Sequence, residues 1–119
     1  MTQMAQSTTI YNDSTMLVAY CSDAAYDTNL CIVKFYGTNG IAVEYQDHND
    51  RWCTYQGREI DPGHYKLELR GHNNEVIGNG TLHRFLESSD VLEGGWRESG
   101  TTGFWRIVLG KEDDDEGTD

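Results

Sequence analysis

Six aromatic side chains spread along the chain could converge on a flat or apolar ligand: Tyr45, Trp52, Tyr55, Tyr65, Trp96 and Trp105. Aromatic rings carry large buried area and stack on other π faces. The plainer use of the same rings is the core of a small β domain. His83 joins this candidate ligand-binding set, because an imidazole can move a proton or hold an anion. Arg84 beside it offers a planar fork for a carboxylate or phosphate. The alternative places His83 outside and pairs Arg84 with an acid such as Glu93 or Asp90, an ordinary cross-strand arrangement. A third group, Arg97, Phe104 and Arg106, combines residue types that anchor protein interfaces. The two arginines also suit a ladder with Glu93 and Glu98 on an outer wall.

Other chemistries find less in the sequence. Cys21, Cys31 and Cys53 are scattered, as are His48, His64, His72 and His83, with no CxxC or HxxxH spacing of the kind structural zinc sites use. Asp47–Asp50 and the acidic C-terminal run lack the glycine and bidentate glutamate of a calcium loop. Glycoside hydrolysis needs two carboxylates facing one site, whereas Glu44, Glu68 and Glu93 fall at positions that alternate outward. Neither a Gly-x-Ser-x-Gly elbow nor a Walker A loop is present. The expectation is therefore no catalytic residue, no metal and no cofactor. A small hydrolase or isomerase using His83 with a carboxylate ranks last.

The elements that position these residues read as strands. Short runs alternating apolar with polar residues fall near Thr15–Tyr20, Leu30–Tyr36, Ile41–Gln46, Arg51–Gln56, His64–Arg70, Glu75–Phe85, Val91–Glu98 and Gly103–Leu109. Thr8–Tyr11 is a candidate short extra strand. Turn chemistry separates them: Thr38-Asn39-Gly40, Asp47–Asp50, Asp61-Pro62-Gly63, Gly71–Asn74 and Glu87–Asp90. Ser22–Asn29 suits either a loop or one helical turn. Consecutive hairpins favour an all-β, antiparallel up-and-down meander barrel of about eight strands, with a β-sandwich as the alternative. Closure also removes exposed strand edges.

Register follows from parity. Trp96 and Trp105 both face inward only if paired residue numbers on their two strands sum to an odd value. A sum of 201 pairs Trp96 with Trp105 and Gly94 with Ile107, around a loop at Gly100-Thr101. On the preceding hairpin a sum of 176 sets Gly80 opposite Trp96 and Leu82 opposite Gly94. An aromatic ring covering a strand glycine is a known way to stabilise a bend.

The chain has 119 residues and a net charge of −11. Lys111–Asp119 contains one lysine and six acids, a net −5; the remaining eight basic and fourteen acidic residues leave −6 for the body. Both parts repel polyphosphate and anionic lipid, so neither nucleic acid nor membrane is an expected partner. The organisation expected is a flexible N-terminus over 1–7, one β-barrel domain over 8–110 and a disordered acidic tail over 111–119. Three cysteines cannot all pair within one chain, and no leader pattern opens the sequence, so the expected compartment is cytoplasmic.

Gly80-x-Leu82-His83-Arg84-Phe85, Leu92-Glu93-Gly94-x-Trp96-x-Glu98 and Gly103-x-Trp105-Arg106-Ile107 together resemble a closing meander of many uncharacterised bacterial proteins. More loosely, they are similar to the last strands of calycin-like barrels, the lipocalin and avidin group. The resemblance covers about Arg51–Leu109 and implies architecture only. The early Gly-x-Trp of lipocalins and the biotin-binding residues of avidins have no counterpart here. The functional expectation is a barrel that binds a small apolar or aromatic molecule in an aromatic-lined cavity. A non-catalytic protein-interaction or homo-oligomerisation module, acting as a dimer through its outer wall around Phe104 or as an accessory to a larger system, is the alternative.

Overall fold

A computed structural model describes residues 8–21, 26–47, 49–86 and 88–113. Nine strands are found among them and no helix: β1 (Thr8–Tyr20), β2 (Tyr26–Tyr36), β3 (Gly40–Gln46), β4 (Trp52–Asp61), β5 (His64–Arg70), β6 (Val76–His83), β7 (Val91–Glu98), β8 (Thr101–Val108) and β9 (Lys111–Asp113). Each of β1–β8 is antiparallel to its neighbours, and β1 pairs with both β2 and β8. The result is a closed, eight-stranded up-and-down barrel, consistent with a calycin-like fold.

Alternation builds it. β6 and β8 bury every second residue, and the buried set Met16, Val33, Ile41, Val43, Leu67, Leu82, Leu92 and Ile107 forms one interior cluster. The hairpins are set by residues that tolerate positive φ. Pro62-Gly63 turns with Gly63 at φ 76°, and Ser99-Gly100 turns with both residues at positive φ, as a two-residue type I′ hairpin requires. At the β2–β3 hairpin it is Gly37 that takes positive φ. The expected turn glycine, Gly40, instead begins β3 opposite Tyr36.

The β6–β7 register sums to 176 as expected, with Gly80 opposite Trp96. The β7–β8 register does not sum to 201. Gly94 faces Trp105 and Trp96 faces Gly103, a sum of 199, because the tight turn centres on Ser99-Gly100 and not on Gly100-Thr101. Parity is preserved, so both indoles still point inward, but each covers a glycine and neither faces the other. A Cβ on Gly80 would lie 2.7 Å from Trp105 Cζ2, and one on Gly103 would fall on the Trp96 ring. Glycine is required at both places to admit an indole.

β1 carries a bulge at Asp13, with φ 58°, which divides it into two segments. Residues 15–20 pair with β8, and residues 10–12 pair with β9. The bulge buries Ser14, whose Oγ donates to Tyr11 O at 3.0 Å and accepts from Gly110 N at 2.9 Å. The acidic run was expected to be disordered from residue 111. Lys111–Asp113 is instead a strand, held by the ladder to Ile10–Asn12. Residues 114–119 and 1–7 lie outside the described residues.

Candidate functional site

The two ends of the barrel differ. At the end carrying the β2–β3, β4–β5 and β6–β7 connections packed rings leave only about 120 Å³ of open space, beside Phe35 and Tyr65. Phe35 sits edge-on to Tyr11 at 6.0 Å and tilted against Tyr65 at 5.9 Å. The Arg84 guanidinium carbon lies 5.1 Å from the Phe35 ring centre, and Arg84 Nε donates to Ser89 O at 2.8 Å. Arg84 therefore pairs with neither Glu93 nor Asp90. It plugs this end through a cation–π contact and a backbone carbonyl, a use of arginine that needs no carboxylate.

The opposite end, at the β1–β2, β3–β4 and β7–β8 connections, is open. A cavity of about 570 Å³ descends from it between Met16, Val18, Tyr20, Tyr45, Tyr55, Trp96 and Trp105, with Asp27, Asp47 and Glu98 at its rim. Tyr20 meets Trp96 edge-on at 5.3 Å and Tyr55 meets Trp105 at 4.9 Å, so the wall is two interlocked aromatic pairs. Their polar atoms are committed. Trp96 Nε1 donates to Phe104 O at 3.1 Å, and Trp105 Nε1 donates to Thr81 O at 2.8 Å. The Tyr55 hydroxyl donates to Glu98 Oε2 in a short hydrogen bond. Cys53 faces Tyr45 across the β3–β4 ladder, and its Sγ donates to Asp47 Oδ2 at 3.8 Å. Asp47 Oδ1 in turn accepts from the backbone N–H groups of Asn49 and Arg51, which fixes the β3–β4 loop.

Burial raises the proton affinity of every acidic hydroxyl and thiol at this mouth. Burial pushes the Tyr55 hydroxyl well above the usual phenol value, and its hydrogen bond to Glu98 adds to the shift. Tyr45 moves the same way through burial, then through Cys53 and Glu98. Tyr20 is raised by burial, then by Asp27 and Glu98. Cys53 is raised by burial, then by Asp47 and Glu98. These groups stay neutral at ordinary pH, and the acidic side chains among the described lining residues are Asp27, Asp47 and Glu98.

Of the residues selected from sequence, the barrel brings Tyr45, Tyr55, Trp96 and Trp105 together at this cavity. Tyr65 is buried but belongs to the filled end. Trp52 is 62 % exposed on the outer wall, opposite Gln46. Inward Cys53 and Tyr55 fix that orientation, since alternation puts positions 52 and 54 outside. His83 is exposed on the outer wall as well, edge-on to His64 at 4.5 Å and opposite Glu93. Arg97 and Phe104 are exposed on the wall, and Arg106 Nε pairs with Glu93 Oε2 at 3.2 Å.

Glu98 does not join that outer ladder. It shares parity with Trp96 and turns into the mouth, a position the alternation in Trp96-x-Glu98 already encodes. Tyr20 and Asp27 were not singled out from sequence, because no spacing relates them to the last strands. Among the described residues no group of three or more His, Cys, Asp or Glu is arranged to hold a metal ion. Among the described residues no helix is long and apolar enough to cross a membrane. Comparison of the chain with protein-family models, with curated proteins and with solved structures found no match.

Proposed function

We propose that this protein is a small-molecule-binding barrel whose ligand enters the open end and lies against Tyr20, Tyr45, Tyr55, Trp96 and Trp105. The observation that carries this reading is the cavity of about 570 Å³ at one end of the barrel, against about 120 Å³ beside Phe35 and Tyr65 at the other. It falls within the roughly 300–1,000 Å³ of ordinary ligand sites. Its aromatic wall is held by hydrogen bonds behind the rings, so the π faces stand in place before a ligand arrives. A distant kinship with calycins belongs to the same proposal, supported by the closed meander; a shared fold by itself carries no substrate. Three free cysteines support a reducing, cytoplasmic setting.

The test uses the tryptophans as reporters. Trp52→Phe removes the exposed indole and leaves Trp96 and Trp105 in the cavity wall. Native mass spectrometry of protein purified from its own host should show a retained small molecule. The same molecule should then change the emission of the Trp52→Phe variant on rebinding. A bare mass, together with unchanged emission across a fragment library, overturns the reading.

A second reading, association through the outer wall, is favoured by one observation. Phe104, Leu17, Tyr26 and Val108 are exposed on β8, β1 and β2, and the outward positions of this wall over 102–108, 15–19 and 26–30 include no acid. On a chain of net charge −11 such a face meets its own copy without facing acids, and its one cation, Arg106, is paired with Glu93. Sedimentation of wild type and Phe104→Asp tests it: a dimer lost in the variant supports this reading, and a monomer in both removes it.

A further inference from the structure

The ligand class follows from what the mouth lacks, and this inference rests on the reading that the open end is a binding site. No lysine, arginine or histidine is among the described residues lining the cavity, whereas three carboxylates, Asp27, Asp47 and Glu98, stand at it. The described ion pairs of the barrel lie elsewhere, between Lys34 and Glu44, Arg70 and Glu68, and Arg106 and Glu93. Asp27 and Glu98 are thus without a cationic partner among the described residues. Glu98 is half-buried between aromatic rings and accepts its hydrogen bond from Tyr55. A carboxylate withdrawn from water without a counter-charge is costly, and a cation delivered to it offsets that cost.

Donors point to the same class. Both indole N–H groups are committed to backbone carbonyls and the Tyr55 hydroxyl to Glu98. The wall thus offers π faces and acceptor oxygens, and its remaining side-chain donors, on Thr28, Asn29, Ser99 and Thr101, are neutral. The negative face of an aromatic ring attracts an ammonium group, most strongly for tryptophan and in a partly desolvated site. The field of a molecule with net charge −11, focused at a cleft edged by carboxylates, raises the local concentration of cations.

We infer that the open end recognises an organic cation: a protonated or quaternary amine on an aromatic or apolar body, with the charged nitrogen at Glu98 and the body against Trp96 and Trp105. A neutral flat molecule would satisfy the rings alone. An anionic one would meet three carboxylates and no counter-charge among the described lining residues.

A charge-matched panel tests this: indole and phenyl compounds carrying an ethylammonium, a hydroxyethyl or a carboxymethyl group, titrated into the full chain by calorimetry and by Trp52→Phe emission. The ammonium members should bind about tenfold or more tightly than their hydroxyethyl counterparts, and the carboxymethyl members should not bind. Glu98→Gln keeps an acceptor for Tyr55 and should remove about tenfold of ammonium affinity while leaving the hydroxyethyl members unchanged. Glu93→Gln makes the same change of net charge on the outer wall and should leave every affinity as it was. Equal binding of all three charge types, or preference for the carboxylates, overturns the cation inference and leaves the cavity reading standing. Equal losses in Glu98→Gln and Glu93→Gln also overturn it, because the effect is then net charge and not a site. If no member of the panel binds, both the inference and the reading beneath it fall.

Discussion

Tyr55→Phe isolates the hydrogen bond at the mouth. The ring is 1 % exposed and its hydroxyl donates to Glu98, so the substitution removes one oxygen and leaves the aromatic packing on Trp105 in place. A hydrogen bond to a charged group is worth about 1.5–3 kcal/mol. Glu98 keeps one side toward water, which sets the expected loss near the low end, about 1.5 kcal/mol. At roughly 2.1 cal/mol/K of unfolding entropy per residue, an ordered body of this size should melt about 7 °C lower. Urea unfolding should show a lower midpoint with an unchanged slope, since no surface is added to the unfolded state. A double-mutant cycle with Glu98→Ala, which removes the acceptor, should return a coupling of about 1 kcal/mol. Tyr55→Phe melting within a degree of wild type, or strict additivity in the cycle, would show that the two groups do not support each other.

Gly94→Val should destabilise by about 3 kcal/mol, because a Cβ there collides with the Thr81 carbonyl oxygen, which is backbone and has nowhere to move. Calorimetric melting checks it, and Gly100→Ala, at a glycine with open space around it, serves as a comparison limited to the strain of its φ of 80°. Stability should fall at alkaline pH. Burial holds the Cys31 thiol at about 12, against 9.0 for the free group, and raises the hydroxyls of Tyr45 and Tyr55. The unfolded chain releases these protons first, so stability is full below the unfolded values and declines as pH rises through about 9 and then about 10, by up to about 1.4 kcal/mol per pH unit for each group. Urea midpoints from pH 7 to pH 11 should show that decline, and Cys31→Val should shrink its first leg, leaving the part that the raised Cys53 thiol contributes. Ending the chain at Gly110 removes β9 and should cost about 1 kcal/mol in urea unfolding, the worth of a few exposed ladder bonds; no loss would mean that the pairing of Ile10–Asn12 with Lys111–Asp113 contributes nothing.

Local pattern made the strands, the meander and the inward parity of Trp96 and Trp105 legible. Parity also held two answers that residue type obscured. Trp52 and Tyr55 differ by an odd number, so on one regular strand they cannot share a face, and Glu98 must share the face of Trp96. Reading Trp52 as lining and Glu98 as wall followed the chemistry of the side chains against the geometry of the strand. Depth along the barrel was not legible. Tyr65 has the right parity yet lies at the filled end, because depth accumulates through every hairpin register. A single turn misplaced by one residue, as at Ser99-Gly100, displaces all that follows. Arg84 was read as an ion-pair partner because the ring it covers, Phe35, lies four strands away in sequence.

Seven of the barrel's eight seams join strands that follow one another along the chain. The eighth, between β1 and β8, joins Thr15 to Val108 and spans nearly the whole body. Nearby hairpins form with little loss of chain entropy, whereas this last closure must wait for both extremities. Until it forms, the half-made sheet presents two bare edges to other chains, the condition in which β proteins aggregate during folding. Val18 and Trp105 are partners in that same seam, so the cavity at the open end comes into being only as the final stitch is made. A molecule that occupies it binds the completed barrel alone, and during folding it would act as a trap for the finished state.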